Sequence, residues 1–154
     1  SGNLALIGAY GDDDNGSSSG AAYIFNRSES SWTHLKKLIP TDGAQNDFFG
    51  FSVSISDTSA IVGAFADDDR GSSSGSAYTF KNPEGTWIQD EKLTADDGTV
   101  DDFFGISVST NSSCAIMGTT GCDDLGSGSG SAYVYTDPAA VSFKATPWLL
   151  LLTN

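Results

Sequence analysis

Residues 48–80 read FFGFSVSISDTSAIVGAFADDDRGSSSGSAYTF, and residues 103–135 read FFGISVSTNSSCAIMGTTGCDDLGSGSGSAYVY. The two stretches keep one register throughout. Working outward, residues 8–62 and 63–117 are one segment written twice, and residues 118–135 begin it a third time. Gly8, Gly63 and Gly118 lie 55 apart, as do Asp13, Asp68 and Asp123, Gly16, Gly71 and Gly126, and Tyr23, Tyr78 and Tyr133. Trp32 matches Trp87, and Leu38 matches Leu93. A fixed period of this size marks an array in which each unit is one supersecondary element that needs its neighbours to bury its faces.

Four short strand-like runs recur per unit, each bounded by turn residues. Run A covers 49–55 and 104–109, with apolar residues alternating with Gly or Ser, the period of a strand. Run B covers 4–9, 59–64 and 114–119; run C covers 21–25, 76–80 and 131–135; run D covers 32–38 and 87–93. A loop of Asp, Gly and Ser separates B from C, and a second acidic loop separates D from the next A. Nothing has helical periodicity, and the four Pro residues fall between runs or at their ends. Four strands per repeated unit predict an all-β chain of β-propeller blades, about 2.75 blades forming an incomplete ring. Residues 1–40 form a first blade lacking its first strand, 41–95 a second, and 96–154 a third with a diverged last strand. A parallel β-helix is the competitor, but its coils are much shorter.

A net charge of −13 and a pI near 4.1 argue against nucleic acid and anionic membrane surfaces as partners, since both need a basic face, and no membrane insertion is expected. They favour solubility, cations, or a saline or extracellular setting. The start, Ser1-Gly2-Asn3, carries neither a secretory signal nor an initiator Met, so the chain reads as a mature product or a portion of something longer. The apolar stretch Trp148 to Leu152 is too short to span a bilayer. It is expected as a buried strand, either a diverged run D or a run A that closes a ring with a neighbour. Cys114 and Cys122 replace Ser59 and Asp67 of the preceding unit, and their joint appearance suggests a disulfide. An extended 114–119 argues against it, leaving three residues to bring 122 back within bonding range.

The order Phe-Gly-x-Ser-Val, Ile-Val-Gly-Ala-Phe, an Asp/Gly loop, Gly-Ser-Ala-Tyr-Thr-Phe, then Trp and Leu resembles the FG-GAP repeat. The "FG" is Phe49-Gly50 and Phe104-Gly105; the "GAP" is Gly8-Ala9-Tyr10, Gly63-Ala64-Phe65 and a degraded Gly118-Thr119-Thr120. The match covers roughly residues 4–135 and is more similar to bacterial and algal extracellular versions than to integrin α heads. The resemblance implies a propeller, an extracellular or cell-surface address, and binding or adhesion rather than catalysis.

It also implies Ca²⁺ as the cofactor of the B–C loop, through Asp-x-Asp/Asn-x-Asp/Asn-Gly-x-x-Asp. Placed on Gly16, that pattern puts Gly11, Asp13, Asn15 and Ser19 at the ligand positions. The later units give Ala66, Asp68, Arg70 and Ser74, then Gly121, Asp123, Leu125 and Ser129. The first ligand is lost throughout, the last Asp has become Ser, and Arg70 brings a positive charge. In a shifted register the candidates are Asp12, Asp13, Asp14 and Asn15, then Asp67, Asp68 and Asp69, then Asp123 and Asp124. So few carboxylates imply an affinity of about millimolar at best. The alternative is that these side chains bond to their own backbone in turns.

The D–A loops hold Asp42, Asp47, Asp96, Asp97, Asp101 and Asp102, either an acidic ring for cations or a basic partner, or turn formers. Trp32 and Trp87 are expected to cover blade-to-blade contacts, with sugar stacking as the alternative. Phe48, Phe49, Phe103 and Phe104 are expected in the core. Asn15, Asn26 and Asn111 head glycosylation sequons, relevant to a secreted eukaryotic chain. His34 stands alone and every other polar cluster is repeated, whereas an active site is one constellation, so no catalytic role is expected. The leading expectation is an extracellular, non-enzymatic interaction, adhesion or structural module. Its partners would be identical copies or further blades of a longer polypeptide, with an extracellular protein or glycan as ligand. The alternatives are a multivalent propeller lectin and an accessory domain of a larger secreted enzyme.

Overall fold

The computed structural model describes residues 2–111, 113–123, 126–136 and 144–146. They form three antiparallel sheets, each drawn from one consecutive stretch of chain. The first sheet joins β1 (Leu4–Ala9), β2 (Ala21–Ser28) and β3 (Ser31–Leu38). The second is a meander of β4 (Ser52–Ile55), β5 (Ser59–Ala64), β6 (Ser76–Lys81) and β7 (Ile88–Leu93). The third repeats it with β8 (Ser107–Thr110), β9 (Cys114–Thr119), β10 (Ser131–Thr136) and β11 (Lys144–Thr146). A 3₁₀ turn, Pro83–Gly85, tips the β6–β7 hairpin. The chain is all-β, an open and incomplete propeller.

Strand alternation decides how the sheets stack. Along β5, Ala60, Val62 and Ala64 join a core with Ile24, Leu38, Phe49, Tyr78, Phe80 and Trp87, between the first and second sheets. Ile61, on the opposite face, joins Ala77, Leu93, Phe104, Met117, Tyr133 and Tyr135 between the second and third. A central blade is buried on both faces, so its inner strands are apolar or small at every position.

The Phe-Gly motifs are turns, where run A was expected to be strand already. Phe48 and Gly50 take φ of 55° and 91°, and Phe103 and Gly105 take 58° and 82°, outside the strand region. The Phe51 N–H closes the turn on the Phe48 carbonyl at 3.1 Å, and Ile106 does the same to Phe103. The strands therefore begin three residues after each buried phenylalanine. The turn splits the aromatic pairs: Phe49 and Phe104 are fully buried, while Phe48 and Phe103 are only half-buried. The expectation that all four lie in the core is corrected, because a left-handed residue points its side chain away from its neighbour's pocket.

The same turn fixes the glycines of run B. Gly50 donates its N–H to the Gly63 carbonyl at 3.0 Å, and Gly105 to Gly118 at 3.1 Å. A Cβ on Gly8 would strike the Gly50 carbonyl, and one on Gly63 the Gly105 carbonyl. Only glycine lets successive inner strands approach this closely.

Candidate functional site

The two acidic loops, separate in sequence, meet in space. Asn46, Phe48 and Phe49 donate their N–H groups to the carbonyls of Ser17, Ser18 and Ser19 at 2.9–3.1 Å. One period later, Asp101, Phe103 and Phe104 donate to Ser72, Ser73 and Ser74 at 2.8–3.0 Å. The B–C loop of each blade is thus sewn by backbone to the Phe-Gly turn of the next.

Within the loops the carboxylates divide into two jobs. Asp13 accepts the Ser18 N–H at 2.7 Å, Asp68 the Ser73 N–H at 2.7 Å, and Asp123 the Gly128 N–H at 2.6 Å. Ser19 and Ser74 accept the N–H groups of Asn15 and Arg70. These bonds brace the loop from inside. Arg70 reaches out to the Asp96 carbonyl at 3.2 Å.

The other acids converge on lysine. Lys92, from β7, holds Asp42 and Asp67 at 2.8 Å and Asp69 at 2.6 Å, with its ammonium over the Tyr78 ring. Asp67 is 4% exposed and also accepts the hydroxyls of Ser76 and Tyr78 at 2.9 and 3.1 Å. Lys37, from β3, does the same in the first blade: it reaches Asp12 at 2.9 and 3.0 Å and Asp14 at 2.5 Å, over the Tyr23 ring. Tyr23 donates to Asp12 at 2.9 Å. Burial pushes the Lys92 ammonium down, but hydrogen bonds to Asp42, Asp67, Asp69 and Tyr78 outweigh it and hold it above the lysine range. The Asp14 hydrogen bond chiefly raises Lys37, and the Lys37 hydrogen bond chiefly lowers Asp12. In the third unit Cys122 stands at the Asp67 position and accepts the Ser131 hydroxyl at 3.2 Å, while Tyr133 donates to Asp97 at 2.6 Å.

Among the described residues, no group of three or more His, Cys, Asp or Glu side chains is arranged to hold a metal ion. Asp124 lies outside the described residues, as does the expected terminal strand at 148–152. Asp47 is buried and accepts the Ala44 N–H at 2.7 Å; burial pushes its carboxyl up to about 6. Asp102, its counterpart, accepts the Thr99 N–H at 2.6 Å. Cys114 and Cys122 are both free thiols. Asn15 and Asn26 are exposed, Asn26 near the end of β2. The Asn111 amide oxygen accepts the N–H groups of Ser113 and Cys114 at 2.8 and 2.9 Å.

Two features escaped the sequence reading. The lysines resemble any charged residue on an outer strand; their recurrence 55 residues apart, in step with Asp12 and Asp67, was the available signal. The second is a row of rings: Phe65 stacks on Phe48 at 5.3 Å, meets Phe51 at 4.6 Å and Phe103 at 6.0 Å, and Tyr10 abuts Phe48 and Phe51. Tyr10 and Phe51 are exposed. As for the tryptophans, Trp87 is 3% exposed in the core between the first two blades, whereas Trp32 is 51% exposed.

No helix among the described residues is long and apolar enough to cross a membrane. No curated protein matches the chain. A family model for the FG-GAP repeat matches residues 1–25, 32–80 and 87–135. Repeats of that kind are modules for protein interaction, generally non-catalytic and typically extracellular. Three in-register matches, on blades joined through their Phe-Gly turns, place the chain in the FG-GAP repeat family.

Proposed function

We propose that this chain is an extracellular, non-enzymatic interaction module whose end blades receive further blades of the same kind, from identical copies or from a longer polypeptide. The observation that carries the reading is the mismatch between equivalent residues. Val62 and Trp87 are 0% and 3% exposed where the second blade meets the first, while Ile7 and Trp32, one period earlier, are 55% and 51% exposed. On the other side Ile61 is 0% exposed and Ile116 is 44%. The two open faces are the two halves of the contact already made twice within the chain, so they complement one another head to tail. Light scattering on the purified chain tests this: concentration-dependent self-association, weakened by Ile7→Asp, is expected. A stable monomer at high concentration would overturn it.

The ring row supports a second reading, carbohydrate binding, because exposed aromatic faces stack on sugars. Saturable binding to one sugar class on a glycan array, abolished by Tyr10→Ala with Phe51→Ala, would favour it over a structural role.

A further inference from the structure

We propose that in the first two blades a lysine from the blade's own last strand stands in for the loop cation, so that these loops close without divalent metal. The family resemblance implies calcium here, and the residues do not fit it. A hard divalent ion needs about six to eight oxygens around a free centre. In the second blade neither set of oxygens is free: at the implied ligand positions Asp68 and Ser74 already accept the N–H groups of Ser73 and Arg70, and the carboxylates of Asp42, Asp67 and Asp69 all meet the Lys92 Nζ within 2.8 Å. An ammonium carries three donors, and three carboxylates receive them.

Three observations carry the assignment. The arrangement occurs twice, built from Asp12, Asp14, Tyr23 and Lys37 and then from Asp67, Asp69, Tyr78 and Lys92, every member displaced by 55. The anion most in need of a partner, Asp67, is nearly inaccessible to water, and a buried carboxylate left unpaired is strongly unfavourable. Finally, the buried anion itself is not kept throughout: in the third unit the neutral Cys122 stands at the Asp67 position and meets the Ser131 hydroxyl at 3.2 Å.

Thermal melting of the full chain in chelator and in millimolar calcium tests this. The wild type is expected to melt at the same temperature in both. Lys92→Met, which keeps the stem and removes the charge, should melt several degrees lower in chelator and recover part of the loss with calcium. A calcium-induced rise in the wild type overturns the proposal, as does a Lys92→Met protein that melts like the wild type or shows no calcium response. Should Lys92→Met fail to fold, Lys37→Met, whose partners are more exposed, is read by the same criteria. Isothermal titration of calcium into the variant provides an independent readout of the vacated site.

Discussion

Trp87 and Trp32 occupy the same place one period apart, one enclosed and one open, so truncating each to alanine measures what a neighbouring blade contributes. Trp87 is 3% exposed among Ile24, Leu38 and Phe80, and its indole N–H has no hydrogen-bond partner among the described residues, so its loss is one of packing alone. Removing a buried tryptophan leaves a cavity the surroundings only partly fill, at about 3–5 kcal/mol. For a chain of this size roughly 2–4 °C accompany each kcal/mol, so Trp87→Ala should lower the melting temperature by about 6–20 °C. Trp32 is half open to water and contacts Arg27 across its ring at 5.9 Å. Its truncation should fall within about 0.5 kcal/mol, or some 2 °C. The assay is far-ultraviolet circular dichroism at low protein concentration, where association through the open faces is weakest. Under conditions that favour association the order should change, Trp32→Ala weakening assembly and leaving the dilute melt intact. Equal depressions at low concentration would refute the reasoning, since the two residues differ only in whether a blade covers them.

Two further outcomes are expected. Asp47 has its carboxyl raised by burial to about 6, above the ordinary value of 3.8. The folded chain therefore binds a proton that the unfolded chain lacks between those values, and stability rises as pH falls through 6. Asp12, held low chiefly by its hydrogen bond to Lys37, and Asp42, which burial raises but the hydrogen bond and charge of Lys92 hold low on balance, lose their contribution only as pH falls below the ordinary aspartate range. Urea midpoints for the wild type and Asp47→Asn at pH 7.5 and pH 5 check this: the variant should lose the gain at pH 5, and an unchanged slope would contradict it. Cys122→Asp restores the acid of the earlier units at a site 5% exposed, beside the Ser131 hydroxyl. It should destabilise by on the order of 3 kcal/mol in denaturant titration, as an uncompensated buried charge does, and a variant at least as stable as wild type would contradict this.

Strand positions were legible wherever alternation and turn residues act locally. The run at 59–64 coincides with β5 and that at 4–9 with β1, because both faces of these strands take apolar or small residues and Gly ends the pattern. Run A was misread at its start because Phe49 to Ile55 alternates like a strand, while a positive φ at Phe48 is set by backbone bonds from the preceding blade's loop, some thirty residues earlier. The β2–β3 and β6–β7 ladders each carry a register shift, so the outer strand cannot be placed by counting alone. The site was harder to read for a related reason. An aspartate that braces a turn, such as Asp68, and one that holds a lysine, such as Asp67, are neighbours of identical chemistry. Only the three-dimensional approach of β7 separates them. The ring row likewise gathers residues from four separate turns, and no periodicity within one run announces it.

The backbone seam between each B–C loop and the following Phe-Gly turn dictates where such a chain can change length. Serines 17–19 and 72–74 are committed carbonyl by carbonyl, so an inserted residue there would slip every bond to the next blade. The hairpin tips carry no such obligation: Glu29 and the Pro83–Gly85 turn lie at the far ends of their strands, and the family matches break there, at 26–31 and 81–86. Evolution can lengthen or decorate these outer tips while the period of the inner strands stays fixed. A peptide tag, fluorophore or whole domain grafted between Asn82 and Trp87 would meet the same tolerance, giving an engineer an attachment point that leaves the stacking of blades undisturbed.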